Sequence, residues 1–189
     1  MDWGTTAWHY LQLGFMHVLP LGFDHLLFIL TLFFLNSELK SVLLQCTLFT
    51  LAHSISLGLS ALGYWVLSSQ VIEPLIALTI LITAIENIAH SKVKGYRLML
   101  VFVFGLIHGM GFATALREVG LPAGSFFTAL FSFNVGVELA QLSILLLAYF
   151  SIGKWFKDKE WYNIRIVYPL SSVIACIAFY WTIQRLLYP

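Results

Sequence analysis

The sequence has few charged residues and few cysteines, and each shortage excludes a class of protein. Charged residues make up 10% of the 189-residue chain, whereas apolar residues make up 60% and the mean hydropathy is +0.88. A soluble domain usually carries about 25% charged residues, so this composition predicts a membrane protein. Cys46 and Cys176 both fall within apolar runs, so a disulfide framework is not expected.

The sequence also lacks the short motifs that mark common catalytic and nucleotide-binding sites. It contains no Walker loop, no G-x-S-x-G elbow and no H-E-x-x-H zinc motif. Without a nucleotide site, this chain by itself could not drive transport with ATP and would need an ion gradient or a partner. The net charge of +1 gives no reason to expect a nucleic-acid partner.

Six apolar runs dominate the sequence, each about 20 residues long and so able to cross a bilayer as a helix. The connecting segments are short, so residues 1–189 are expected to form one domain, an all-α polytopic membrane protein with a six-helix transmembrane bundle. Residues 3–19 contain Trp3, Trp8 and Tyr10, and they predict a short helix at the outer membrane interface, ending before Pro20 and Gly22. The predicted spans are 20–36, 41–63, 73–90, 97–117, 125–150 and 165–187.

The distribution of basic residues predicts the orientation of the bundle. One set of loops and helix ends carries eight basic residues and the opposite set carries two, which places the first set in the cytoplasm and both termini outside it. The eight are Lys40, Lys92, Lys94, Arg97, Lys154, Lys157, Lys159 and Arg165, and the two are Arg117 and Arg185.

Histidine and acidic residues recur inside the predicted spans, where lipid cannot satisfy them. An ionised carboxylate at mid-bilayer costs roughly 2.5–3.5 kcal/mol, so these groups should meet each other, a metal ion or water. Helix depth places the residues between the midplane and the outer third of the membrane, except for Glu86, which lies near the inner end of its span. The polar residues of the spans are Asp24, His25, His53, Glu86, His108, Asn134 and Glu138.

These residue types predict a site for a divalent transition metal ion such as zinc, nickel or cobalt. Imidazole and carboxylate groups suit such ions, and the lack of paired thiols argues against a copper(I) site. Asn134, Glu138 and Gln141 follow i, i+4, i+7 spacing, so they form one polar stripe that should face the bundle interior. The predicted ligands are His17, Asp24, His25, His53, His108 and Glu138, and the predicted supporting residues are Ser54, Ser56, Asn134 and Gln141.

Five ordered segments of the chain resemble the HupE/UreJ family of small bacterial membrane proteins over residues 14–150. The segments are LGFDHLLFIL, TLAHSISL, VIEPLIALTI, FGLIHGMGFA and FNVGVELAQ. The resemblance implies a helical bundle in the bacterial inner membrane and, through association with hydrogenase and urease gene clusters, nickel or cobalt uptake. The family's proposed metal motif corresponds here to His17, Asp24 and His25. Six residues separate His17 from the Asp-His pair and Val18 follows His17, whereas the better-known nickel branch has five residues there and commonly a proline. The chain therefore resembles the second, less characterised branch.

Three functions fit this pattern. One is a divalent-metal permease whose six predicted ligands form a transit site reached from outside. Another is an intramembrane zinc hydrolase or transferase, with Glu138 or Asp24 as the base, acting on a lipid or a membrane-embedded substrate. The third is a structural metal site or polar network in an accessory subunit. The expected partners are membrane lipid and an accessory or substrate membrane protein.

Overall fold

The computed structural model describes residues 3–35, 38–90, 94–119 and 123–188, and over these residues the chain is helical with no strand. The all-α prediction is therefore confirmed. The helices are α1 (Trp3–Val18), α2 (Phe23–Leu35), α3 (Leu39–Ala61), α4 (Ser69–Ala89), α5 (Arg97–Val119), α6 (Phe126–Phe156) and α7 (Asn163–Leu187). A short 3₁₀ turn, Ala123–Ser125, precedes α6.

The predicted spans correspond one by one to helices α2 to α7. By length and composition, α3, α4, α6 and α7 could each cross a membrane, and α1 with α2 form a further candidate that is bent by 68° at the break between them. The apolar stretch of α5, Arg97–Ala113, is shorter. The break lies at Pro20 and Gly22, where the sequence predicted that the N-terminal helix ends.

The N-terminal helix packs along α6 through close contact between the two backbones. A Cβ atom at Gly14 would collide with the Phe133 carbonyl oxygen, and one at Gly136 would collide with the Leu11 carbonyl oxygen. Glycine at both positions therefore lets α1 lie directly against α6. The position of α1 at the outer membrane interface stays a prediction. The buried residues of α1 are Thr6, Tyr10, Gly14 and Val18.

Glycines also bring α5 against α3. A Cβ atom at Gly105 would meet the Phe49 carbonyl oxygen, and one at Gly109 would meet the His53 carbonyl oxygen. Small residues of this kind allow close helix approach inside membranes. The contact sets His53 of α3 beside the α5 turn that carries His108.

A buried arginine joins the opposite end of the bundle. The Arg97 guanidinium donates hydrogen bonds to Gln45 (3.0 Å), Glu86 (2.8 Å), Asn87 (3.3 Å) and the Thr31 carbonyl (3.3 Å). Only 1% of Arg97 is exposed, so it belongs to the core and is not a basic residue at the membrane surface, where the sequence predicted it. Without Arg97, the two opposite sets of loops and helix ends carry seven and two basic residues, and this difference favours the same orientation. The network also provides Glu86 with a partner, Arg97, as expected for a carboxylate inside an apolar span.

Candidate metal centre

Three histidines from three helices meet inside the bundle. His17 lies in the last turn of α1, His25 in the first turn of α2 and His53 in α3, and one ring nitrogen of each lies within 4.8 Å of the other two. The ring centroids are 4.6 Å apart for His17 and His25, and about 6 Å apart for the other pairs (5.9 and 5.8 Å). The bend between α1 and α2 brings the first pair together. We call these residues the three-histidine group.

Four of the six ring nitrogens of this group are buried without hydrogen-bond partners. His17 Nε2, His25 Nε2 and both nitrogens of His53 are in this state, although buried polar atoms in proteins are normally paired. A tetrahedral ion with bonds of about 2.1 Å needs ligand nitrogens about 3.4 Å apart, so small side-chain rotations would complete the geometry. Three neutral imidazoles therefore fit a divalent transition metal and leave a coordination position open.

His108 lies beside the group, with its ring centroid 5.2 Å from that of His25. Its Nε2 atom is 2.9 Å from the Thr79 hydroxyl oxygen, which itself donates to the Ile76 carbonyl at 2.7 Å. A hydroxyl has one proton to donate, so His108 Nε2 must be the donor and Nδ1 carries the lone pair. Nδ1 is buried and lacks a hydrogen-bond partner, but His108 lies outside the group of mutually close ring nitrogens, so its ring would have to move for it to become a fourth ligand.

Asp24 is not in the three-histidine group, because an arginine holds its carboxylate. Arg185 Nη2 lies 3.2 and 3.1 Å from the two carboxylate oxygens, and Nη1 donates to the Glu73 carbonyl at 3.1 Å. Asp24 nevertheless lines a cavity of about 530 Å³ that is also lined by His17, His25 and His108. The polar residues lining this cavity, which we call the entry cavity, are His17, Asp24, His25, Glu73, His108 and Arg185.

The structure places Glu138 elsewhere. Its carboxylate accepts a hydrogen bond of 2.6 Å from Thr47, and it lines a separate groove of about 440 Å³ between α3 and α6, together with Asn134. Gln141, the next member of the predicted stripe, is buried and accepts a hydrogen bond from Thr50 on α3. The stripe therefore faces α3, and Glu138 does not join the three-histidine group.

The predicted supporting residues differ in what they contact. The Ser54 hydroxyl donates to the Thr50 carbonyl, and the Ser56 hydroxyl donates to the Ala52 and His53 carbonyls, so their hydrogen bonds are to backbone groups. Asn134 approaches the His53 ring from the groove side, and its Oδ1 atom lacks a hydrogen-bond partner.

Two residues of the site, Thr79 and Arg185, were missed in the sequence. The available signal for Arg185 was its position at the same predicted outer end as Asp24. Nothing in the sequence indicated Thr79, because its contact with His108 depends on which helix packs against α4, and the sequence does not show that.

Comparison with known proteins identifies a family and nothing closer. A search of curated proteins gives no match, and neither does a search of solved structures. A family model described as HupE / UreJ protein matches residues 1–185, which include every residue of the metal centre. The chain therefore belongs to the HupE/UreJ family.

Proposed function

We propose that the chain is a permease for a divalent transition metal ion of the nickel or cobalt type, with the three-histidine group as the binding site on its path. The observation that carries the proposal is the convergence of unpartnered imidazole nitrogens from three helices, beside a cavity that two of these residues, His17 and His25, line. Nickel or cobalt uptake, which the family resemblance implies, supports the same assignment.

The ligand set suits transit better than permanent retention. Structural zinc sites are closed by four ligands, several of them anionic, whereas this group has three neutral nitrogens with His108 beside it. An ion bound there keeps most of its charge uncompensated. Conduction needs a site that is favourable enough to enter and weak enough to leave, and neutral ligands with an open position meet that need.

Polar residues lie on both sides of the three-histidine group and outline a path. The entry cavity has acidic residues on one side, Asp24 and Glu73. On the other side Asn134 lies between His53 and the α3–α6 groove, which contains Glu138 and Thr47. We place Glu138 on the onward route, after the histidines, where its carboxylate would attract an ion as it leaves them.

Flux into proteoliposomes tests this proposal. The purified protein would be reconstituted around a metal-sensitive dye, and influx of Ni²⁺, Co²⁺ and Zn²⁺ would be recorded beside equilibrium binding. We expect His53→Ala to lose both binding and flux, and Glu138→Gln to retain binding while flux falls at least tenfold. Glu160→Gln, which changes an exposed carboxylate in the segment between α6 and α7, is the matched control and should behave as wild type. Wild-type protein that binds metal without flux would contradict the permease.

A second function, an intramembrane zinc hydrolase, is favoured by one feature of the site. Three protein nitrogens with an open position beside a cavity are the arrangement of a catalytic zinc ion that activates water. Asp24, and not Glu138, would be the base, because only Asp24 lines that cavity. The same preparations decide: retained zinc, absent flux and lipid hydrolysis that Asp24→Asn abolishes would establish the enzyme.

A further inference from the structure

We propose that Arg185 competes with the metal ion for Asp24. In this conformation the guanidinium occupies the Asp24 carboxylate; when a cation enters the cavity, Arg185 leaves and Asp24 becomes the anionic partner of the ion. This inference rests on the proposed binding of a divalent metal by the three-histidine group, and it assigns Arg185 the regulation of that site.

The contacts of Arg185 join three helices at the rim of the entry cavity. Arg185 lies in the last turn of α7, its Nη2 atom bonds Asp24 of α2, and its Nη1 atom bonds the Glu73 carbonyl of α4. The guanidinium also lies 5.3 Å from the centre of the Trp181 ring. A cation is thus already bound at the carboxylate nearest in sequence to His25.

Charge balance makes the exchange favourable. Among the described residues that form the three-histidine group there is no carboxylate, so a divalent ion bound there would lack an anionic ligand in an apolar surrounding. Asp24 precedes His25 in the chain and lines the same cavity as His17 and His108. Departure of Arg185 would both remove a repelling charge from this cavity and release a carboxylate to the ion.

The Asp24–Arg185 pair has the geometry of an exchangeable contact. A single guanidinium nitrogen reaches both carboxylate oxygens, whereas the strong form of this pair uses two nitrogens in a fork. About a fifth of each side chain is exposed (22% for Arg185 and 23% for Asp24), and partly exposed ion pairs are held weakly. The Arg97–Glu86 ion pair differs in this respect, because it is buried, with side-chain exposures of 1% and 8%.

A double-mutant cycle tests the competition. Binding of Co²⁺ would be titrated by calorimetry and visible absorption for wild type, Arg185→Gln, Asp24→Asn and the double variant in detergent. We expect Arg185→Gln to bind Co²⁺ at least tenfold more tightly than wild type and Asp24→Asn to bind it more weakly. On the Asp24→Asn background the Arg185→Gln change should have little effect, because the arginine acts through that carboxylate.

Two further variants serve as a control and as a substitute for Arg185→Gln. Arg165→Gln removes an arginine that also lies over a tryptophan ring, that of Trp161 at 5.4 Å, and should leave the affinity unchanged. Arg185→Lys keeps the charge but has no second nitrogen, so it cannot contact both Asp24 and the Glu73 carbonyl as the guanidinium does. The Co²⁺ affinity of this variant should therefore rise severalfold. It replaces Arg185→Gln in the test if that variant does not fold.

The outcomes separate this inference from the proposed function. Wild-type protein that binds none of Co²⁺, Ni²⁺ and Zn²⁺ would overturn the metal site itself, and the inference with it. Wild-type binding with unchanged affinity in both arginine variants would overturn the competition alone. Equal tightening on the wild-type and Asp24→Asn backgrounds would also overturn it, because Arg185 would then act as a distant charge and not through Asp24.

Discussion

At the residue scale, the Thr79 hydroxyl decides which nitrogen of His108 carries its proton. Thr79 gives its own proton to the Ile76 carbonyl and so accepts one from His108 Nε2, which leaves a lone pair on the buried Nδ1 atom. Partners of this kind commonly fix the tautomer of a metal-binding histidine. In the proposed metal site, Thr79 of α4 would therefore orient His108 of α5 for metal binding.

Replacing Thr79 by valine should weaken metal binding by about tenfold or more, the usual consequence of losing such a partner. Valine has nearly the same shape and cannot accept the Nε2 proton. Affinity would be measured by Co²⁺ or Zn²⁺ titration.

Thr83→Val is the matched control, because the Thr83 hydroxyl is also buried but bonds the Thr79 carbonyl at 2.8 Å. Equal affinities for the two variants would contradict the role of Thr79.

Sequence spacing predicted the members of the histidine cluster better than it predicted the carboxylates. Depth along each span predicted similar heights for His25, His53 and His108, and the rings of His53 and His108 lie 5.8 and 5.2 Å from that of His25. Glu138 has a suitable height too, but its direction depends on which helix α6 faces, and the structure turns it toward Thr47. The partner of Asp24 was missed for the same reason, because Arg185 is distant in the sequence.

At the scale of helices, glycine contacts determine how near the three histidines come to one another. The α1–α6 contact at Gly14 and Gly136 sets the position of His17, and the α3–α5 contact at Gly109 sets His53 against α5. Helices α2 to α7 could be predicted from apolar run length, although among the described residues only α3, α4, α6 and α7 are each long and apolar enough to cross a membrane. The break after α1 could be predicted from Pro20 and Gly22. Which helices pack against each other could not be predicted, because small residues indicate a contact face but not the helix that packs against it.

Replacing Gly136 by alanine should separate α1 from α6 and displace His17. The added methyl group would meet backbone atoms of Leu11 and Phe15, which cannot rotate away. Overpacking of this kind typically costs about 1–3 kcal/mol, so we expect a lower unfolding temperature in detergent and weaker metal binding.

Gly124→Ala is the control for this change, because nothing lies within 4 Å of the added Cβ atom there. Unchanged unfolding and metal affinity in Gly136→Ala would show that the α1–α6 contact does not hold the site together.

At the scale of the whole molecule, two polar layers lie at different heights in an apolar bundle. The three-histidine group and the entry cavity occupy the end that contains Glu73 and Arg185, and the Arg97 network occupies the other. Buried apolar residues such as Phe28, Leu32 and Ile80 belong to the core that the bundle encloses. The orientation expected from the basic residues places the cavity end outside the cytoplasm.

The Arg97 network bears on how an ion would pass through the proposed permease. Its hydrogen bonds join helices α2, α3, α4 and α5 at the end remote from the entry cavity. An ion bound at the histidines would therefore be reached from the Asp24 side in this conformation. Onward passage requires a second conformation, in which the α3–α6 groove near Glu138 communicates with the far side.

Locating the bound ion would test whether the three-histidine group is the binding site. Crystals grown with Co²⁺ or Zn²⁺ and measured at the absorption edge of that metal would show where it binds. We expect one strong anomalous peak at about 2.0–2.1 Å from nitrogens of His17, His25 and His53. No peak at these histidines, or a single peak at Glu138 in the α3–α6 groove, would contradict it.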